Sequence, residues 1–201
     1  MMVEYPKCST LAHYFGRFIF FIFGWRVEGT TPNHRDMLII AAPHTTNWDG
    51  LLLLGAAYSL HLRVSWLAKN SLFLPVLGRI LTFFGGVPVE RSRNTNMVER
   101  LAQQISEGTG TALVVPPAGT RRYTPYWKSG FYRIALAANI PVVCGYLDYE
   151  KKVAGLGLSF QLSGNMQQDM DRIREFYKGV AAKYPEKKSR IRLKEEDAPQ
   201  D

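Results

Sequence analysis

Cysteine is nearly missing from this sequence: 201 residues hold only Cys8 and Cys144, with no C-x-x-C spacing, and histidine occurs four times without clustering. A disulfide scaffold and a zinc cluster are therefore not expected, and a reducing compartment fits. Long apolar runs are missing as well. The most apolar stretch, Phe18 to Trp25 (FIFFIFGW), is far below the roughly 20 residues that a spanning helix needs; it can lie on a bilayer but not cross it. The opening residues, MMVEYPKCST, lack a basic stretch leading directly into an apolar one, so no signal peptide is expected. No Gly-x-Ser-x-Gly elbow occurs, which speaks against a serine acyl-enzyme of the hydrolase kind. Without H-E-x-x-H, no metal site is expected either. Acidic residues are in deficit, with 17 Asp and Glu against 25 Lys and Arg and a net charge of +8. That balance makes polyanions the expected partners, and charge alone leaves anionic lipid and nucleic acid both open.

What is present is a chain that is 46% hydrophobic, enough to bury one core and too short for two full domains, so a single domain over 1–201 is expected. Residues 9–23 read as an aromatic helix opened by Ser9 or Thr10 and ended near Gly24. Its apolar residues cover most of the circumference, which suits packing on the core or a dip into lipid. From Met37 the pattern alternates. Apolar runs at 37–42, 63–68, 86–90, 111–115 and 141–149 are separated by helical stretches at 47–60, 72–84, 95–107 and 130–138, the second interrupted by Pro75 and Gly78. This alternation predicts an α/β fold with a mostly parallel central sheet flanked by helices. A further strand at 153–161 and a last helix from about 165 to 184 are expected. In the charged tail, 185–201, and just before it, six basic residues between Lys183 and Lys194 face one acid, Glu186, and little order is expected there. A solvated tail and a patch for an anionic surface are the two readings.

The first chemical signal follows the run 37–42. His44-Thr45-Thr46-Asn47-Trp48-Asp49 sets His and Asp in an H-x4-D arrangement at a helix start, with Thr46 or Asn47 as the cap. A loop histidine can act as a general base, and Asp49 can fix its tautomer by accepting from one ring nitrogen. Two arginine-bearing turns come next, Gly86-Val87-Pro88-Val89-Glu90-Arg91 and Pro117-Ala118-Gly119-Thr120-Arg121-Arg122. Both lie beyond carboxyl ends of predicted parallel strands, where such sheets place ligands, and guanidinium matches phosphate oxygens in bidentate fashion.

In this order the segments HTTNWD (44–49), GVPVER (86–91), PAGTRR (117–122) and IPVVCGY (140–146) resemble the four blocks of the glycerolipid acyltransferase family, over roughly residues 37–150. That family includes the glycerol-3-phosphate and 1-acylglycerol-3-phosphate acyltransferases. The resemblance implies His44 as the base that deprotonates the acceptor hydroxyl and Asp49 as its orienting partner. It implies that Arg91, Gly119, Thr120 and Arg121 bind the acceptor and its phosphate, with Lys69 and Lys128 as additional contacts. One departure stands out: the family's glutamate in Pro-Glu-Gly-Thr-Arg is Ala118 here.

The function expected from the resemblance is transfer of a fatty acyl group from acyl-CoA or acyl carrier protein to a hydroxyl of a lysophospholipid or glycerol-phosphate acceptor. The site would be cytoplasmic, peripheral on the inner face of an anionic membrane, with no cofactor beyond the thioester co-substrate. Nucleic-acid binding lacks a reading motif and is set aside. A lipid-binding member of the family without turnover is the rival reading, and Ala118 is its support. Cys144 sits in an apolar run and reads as core rather than nucleophile.

Overall fold

The computed structural model describes residues 5–89, 97–108 and 110–197. Seven strands, β1 (Arg26–Glu28), β2 (Met37–Ala42), β3 (Ser65–Lys69), β4 (Gly86–Val89), β5 (Ala112–Val115), β6 (Val142–Asp148) and β7 (Val153–Phe160), form one sheet in the order β1-β7-β6-β2-β5-β3-β4. All neighbours run parallel except β6 and β7, which pair antiparallel. The helices are α1 (Thr10–Phe23), α2 (Trp48–Ser59), α3 (Leu77–Phe83), α4 (Met97–Ser106), α5 (Gly130–Ala137) and α6 (Met166–Tyr177). The expected α/β architecture is the observed one.

Strand β2 lies near the middle of the sheet, and its first four residues, Met37, Leu38, Ile39 and Ile40, are all buried. A strand covered on both faces reads as a continuous apolar run, which is why its limits match the sequence pattern. Alternate side chains feed two cores. Leu38, Ile40 and Ala42 pack with Leu101 and Ile105 of α4, Phe131 of α5 and Ile173 of α6, whereas Met37 and Ile39 pack with Ala57 of α2 on the opposite face. Right-handed crossovers explain this division. The steps β2 to β3 and β3 to β4 move outward in one direction, placing α2 and α3 on one face. The steps β4 to β5 and β5 to β6 move back, placing α4 and α5 on the other. β2 and β5 are adjacent and send their chains to opposite faces, so a crevice opens between their carboxyl ends.

The first helix begins at Ser9, whose hydroxyl accepts from the Ala12 amide at 3.2 Å, and ends at Gly24 in the left-handed region (φ 64°). It crosses α2 closely: a Cβ on Gly16 would lie 2.7 Å from the Gly55 carbonyl oxygen and 2.8 Å from Tyr58 Cβ. Only glycine permits that approach. No helix among the described residues is long and apolar enough to cross a membrane.

Three expectations need correction. The stretch 72–84 is a short 3-10 turn, Asn70–Leu72, followed by α3, because Pro75 removes a donor and disfavours the helical region at Leu74. The last helix stops at Tyr177 rather than near 184. The charged tail is docked: Leu193 is fully buried, the Trp127 amide donates to the Arg192 carbonyl at 2.7 Å, and Arg174 holds Glu196 at 2.8 Å. Two apolar residues, Ile191 and Leu193, pack on or within the α4–α5–α6 core and tie the segment down.

Candidate active site

At the end of β2 the chain turns through Pro43 and presents half-buried His44 at the crevice. Asp49, the second residue of α2, is almost completely buried. His44 Nδ1 lies 3.0 Å from Asp49 Oδ2. The same oxygen accepts from the amides of Thr45 and Thr46 at 2.7 and 3.0 Å, and Oδ1 accepts from the Tyr149 hydroxyl at 2.6 Å. With the carboxylate ionised, Nδ1 carries the ring proton and Nε2 keeps its lone pair.

Burial alone would raise the Asp49 pKa, but the hydrogen bonds from His44, Tyr149, Thr46 and Thr45 outweigh it and hold the carboxyl below the ordinary range. The Tyr149 hydroxyl is pushed far the other way, by burial first, then by its hydrogen bond to Asp49 and the charge of that carboxylate. It is a donor only.

The helix start differs in detail from the expected cap. Asn47 occupies the cap position but makes no capping bond through its side chain, which instead accepts from the Arg121 guanidinium. Thr46 Oγ1 accepts from the Trp48 amide at 3.4 Å. The amides of Thr45 and Thr46 are committed to Asp49 and are not free to hold an oxyanion.

The turn after β5 brings the predicted phosphate residues alongside. Gly119 adopts φ 65°, and a Cβ there would meet Lys128 Cε at 3.0 Å and Nζ at 3.3 Å, so the lysine stem lies directly against the turn. Thr120 Oγ1 accepts from the Arg122 amide at 3.2 Å. Arg121 is exposed and is tied to α2 through Asn47. His44, Gly119, Thr120, Arg121 and Lys128 thus belong to one neighbourhood around β2 and β5. Lys69 ends β3, the strand next to β5, and is exposed. Arg91 lies outside the described residues, two positions after the end of β4 at the sheet edge.

Ala118 faces inward. It lines a cleft with His44, Pro117, Trp127, Lys188 and Ser189 and belongs to the apolar core, whereas Arg121 and Arg122 are exposed. Lys188 donates to the Val180 carbonyl at 2.7 Å, and burial lowers its pKa. Lys183 Nζ sits among three rings, 5.8 Å from the centroid of Trp48 and 5.9 Å from those of Tyr149 and Tyr184. Among the described residues, no three His, Cys, Asp or Glu side chains gather as metal ligands. Cys144 is buried in β6, and burial pushes its thiol up to about 12, which suits core packing rather than nucleophilic attack.

Residues 25–147, more than half of the chain, match the model of the Acyltransferase family. The chain belongs to the acyltransferase family. It is 31% identical over 106 residues to mouse 1-acyl-sn-glycerol-3-phosphate acyltransferase epsilon, a match covering 50% of this chain and 29% of that protein. The chain therefore spans under a third of that relative's length. The crystal structure of the 1-acyl-sn-glycerophosphate (LPA) acyltransferase PlsC from Thermotoga maritima superposes with a TM-score of 0.59 at 17% identity, over 86% of this chain and 80% of that one. That likeness extends to the fold. In this acyltransferase, Tyr149, Lys183 and Lys188 all lie beyond the matched family region. Sequence reasoning missed all three. Tyr149 ends an apolar run without any motif around it, and the two lysines were part of a charge run with no apolar periodicity.

Proposed function

We propose that this acyltransferase moves a fatty acyl group from a thioester, acyl-CoA or acyl carrier protein, to a hydroxyl of a lysophospholipid or glycerol-phosphate acceptor. The observation that carries the reading is the His44–Asp49 pair, bonded at 3.0 Å at the crevice between β2 and β5. His44 Nε2 takes the acceptor hydroxyl proton as the oxygen attacks the thioester carbonyl carbon. The tetrahedral intermediate collapses by breaking the carbon–sulfur bond, and the leaving thiolate takes the proton back from the imidazolium. Ester and free thiol are the products. Asp49, held ionised by its four donors, stabilises the imidazolium during the step. Gly119, Thr120 and Arg121 are assigned to the acceptor and its phosphate, as is Arg91 on the family pattern, with Lys128 and Lys69 kept as additional contacts.

The chain works peripherally, on the inner face of an anionic membrane. Exposed apolar residues of α1, among them Leu11, Phe18, Phe21 and Ile22, support this, as do exposed cations nearby. The rival reading, lipid binding without turnover, rests on Ala118. Thioester-dependent transfer by wild type and His44→Ala separates the two. Loss of a general base costs about 10²- to 10⁴-fold in rate, while the lost hydrogen bond to buried Asp49 lowers the melting temperature by several degrees without unfolding the chain. Near-normal transfer by folded His44→Ala would sink the assignment.

A further inference from the structure

A second apolar surface lies apart from α1. In the turn Asn70–Leu72, the loop after it and α3, Leu72, Leu74, Val76, Leu77, Ile80 and Phe83 are exposed, Val76 at 75% and Phe83 at 82%. So many large apolar side chains within twelve residues form a patch rather than isolated exposures. None of these side chains belongs to the three apolar clusters of the core, so the segment between β3 and β4 could have carried polar residues at modest cost.

The charge around the patch identifies its occupant. From Gly50 to Val89 there is no Asp or Glu, while Arg63, Lys69 and Arg79 are exposed. From Tyr5 to Val27 there is again no acid, while Lys7, Arg17 and Arg26 are exposed. Between these stretches stand Glu28, exposed in β1, Asp36, ion-paired with Arg35 ahead of β2, and Asp49, the acid of α2, which is buried. α1 packs on α2, and α2 and α3 share one sheet face, so these apolar and cationic groups belong to one helical layer. The acids of α6, Asp169, Asp171 and Glu175, lie on the opposite face. Hydrocarbon accommodates Leu, Val and Phe, and lipid phosphates accommodate the interspersed cations.

We propose that the loop and helix 72–83 form a second bilayer contact, which with α1 seats this face on an anionic leaflet. α2, whose first turn carries Asp49, lies between the two contacts, so the site sits at the lipid surface rather than at the end of a single tethering helix. The proposal rests on the membrane reading given above, and the experiment separates the two. Full-length Cys8→Ser protein receives an environment-sensitive fluorophore at Leu74→Cys or at Phe21→Cys, Cys144 being fully buried. Each is mixed with phosphatidylglycerol–phosphatidylcholine vesicles or pure phosphatidylcholine vesicles.

A blue shift at both positions with anionic vesicles, weaker with neutral ones, is the expected result. A shift at position 21 with none at 74 overturns the second contact while leaving membrane binding standing. No shift at either, with no flotation, overturns both. A concentration-dependent shift at 74 without vesicles marks a contact between copies of the chain and also overturns it. Leu74→Glu with Val76→Glu should lower vesicle partitioning by about tenfold or more, since two buried apolar side chains are lost. Unchanged partitioning counts against the proposal.

Discussion

Tyr149→Phe removes one oxygen atom and tests how the proposed catalytic pair, His44 and Asp49, is held. The hydroxyl donates to Asp49 Oδ1 at 2.6 Å, and the ring packs edge-on against Trp25 at 4.9 Å, which phenylalanine retains. A hydrogen bond to an ionised, buried carboxylate contributes about 1.5–3 kcal/mol, and its loss leaves Oδ1 short of a partner. For a chain of this size that corresponds to a fall in melting temperature of roughly 3–12 °C. The effect on rate is smaller than that of removing the base. Oδ2 still accepts from His44, Thr45 and Thr46, so kcat should fall by no more than about tenfold, with donor and acceptor KM unchanged. The pH dependence has a definite sign. Asp49 is held below its ordinary pKa in the folded state, so its contribution to stability is full above the unfolded value, about 3.9, and is lost as pH falls through the folded one. The gap in melting temperature between wild type and Tyr149→Phe should therefore hold from neutral pH to about pH 4 and shrink below it. Thermal melts from pH 7 to pH 3 and steady-state thioester assays measure both. Wild-type melting and wild-type kcat together would refute the positioning role.

Arg121→Ala should raise the acceptor KM by about tenfold and leave the donor KM unchanged, because a charge-assisted phosphate contact is lost; titrating acceptor at saturating donor measures it, and unchanged acceptor kinetics would remove the phosphate assignment. Ala118→Glu puts a carboxylate into the cleft shared with Lys188, and the double variant with Lys188→Met should be destabilised by about 3–5 kcal/mol beyond the sum of the single changes, since it leaves a buried charge unpaired. Additive denaturation free energies would show that the two positions do not couple.

The sheet was legible where burial is continuous. Met37 to Ala42 read as a short apolar run, and its alternation with helical stretches pointed to parallel crossovers. His44 and Asp49 were legible because five residues across a helix start bring them together locally. Tyr149 was not, since its role depends on β6 and α2 packing across 100 residues of separation. β1 has three residues and no pattern of its own; it exists through pairing with Val153 to Gly155 of β7. The tail misled for a different reason. Six cations masked Ile191 and Leu193, and two apolar residues suffice to dock a segment when a neighbour such as Trp127 offers backbone partners.

The docking of residues 183–193 bears on synthesis and on how the chain can be divided. During translation β2, α2 and β5 leave the ribosome long before Lys183, Lys188 and Ser189, so the crevice is open on one side until residues 183–193 arrive. A fragment ending at Leu147, the limit of the family match, keeps His44 and Asp49 but lacks Tyr149 and the Lys188 wall. In this chain the matched region thus stops short of two groups that border the proposed site, and activity in a nascent chain should begin only after residues 183–193 have docked.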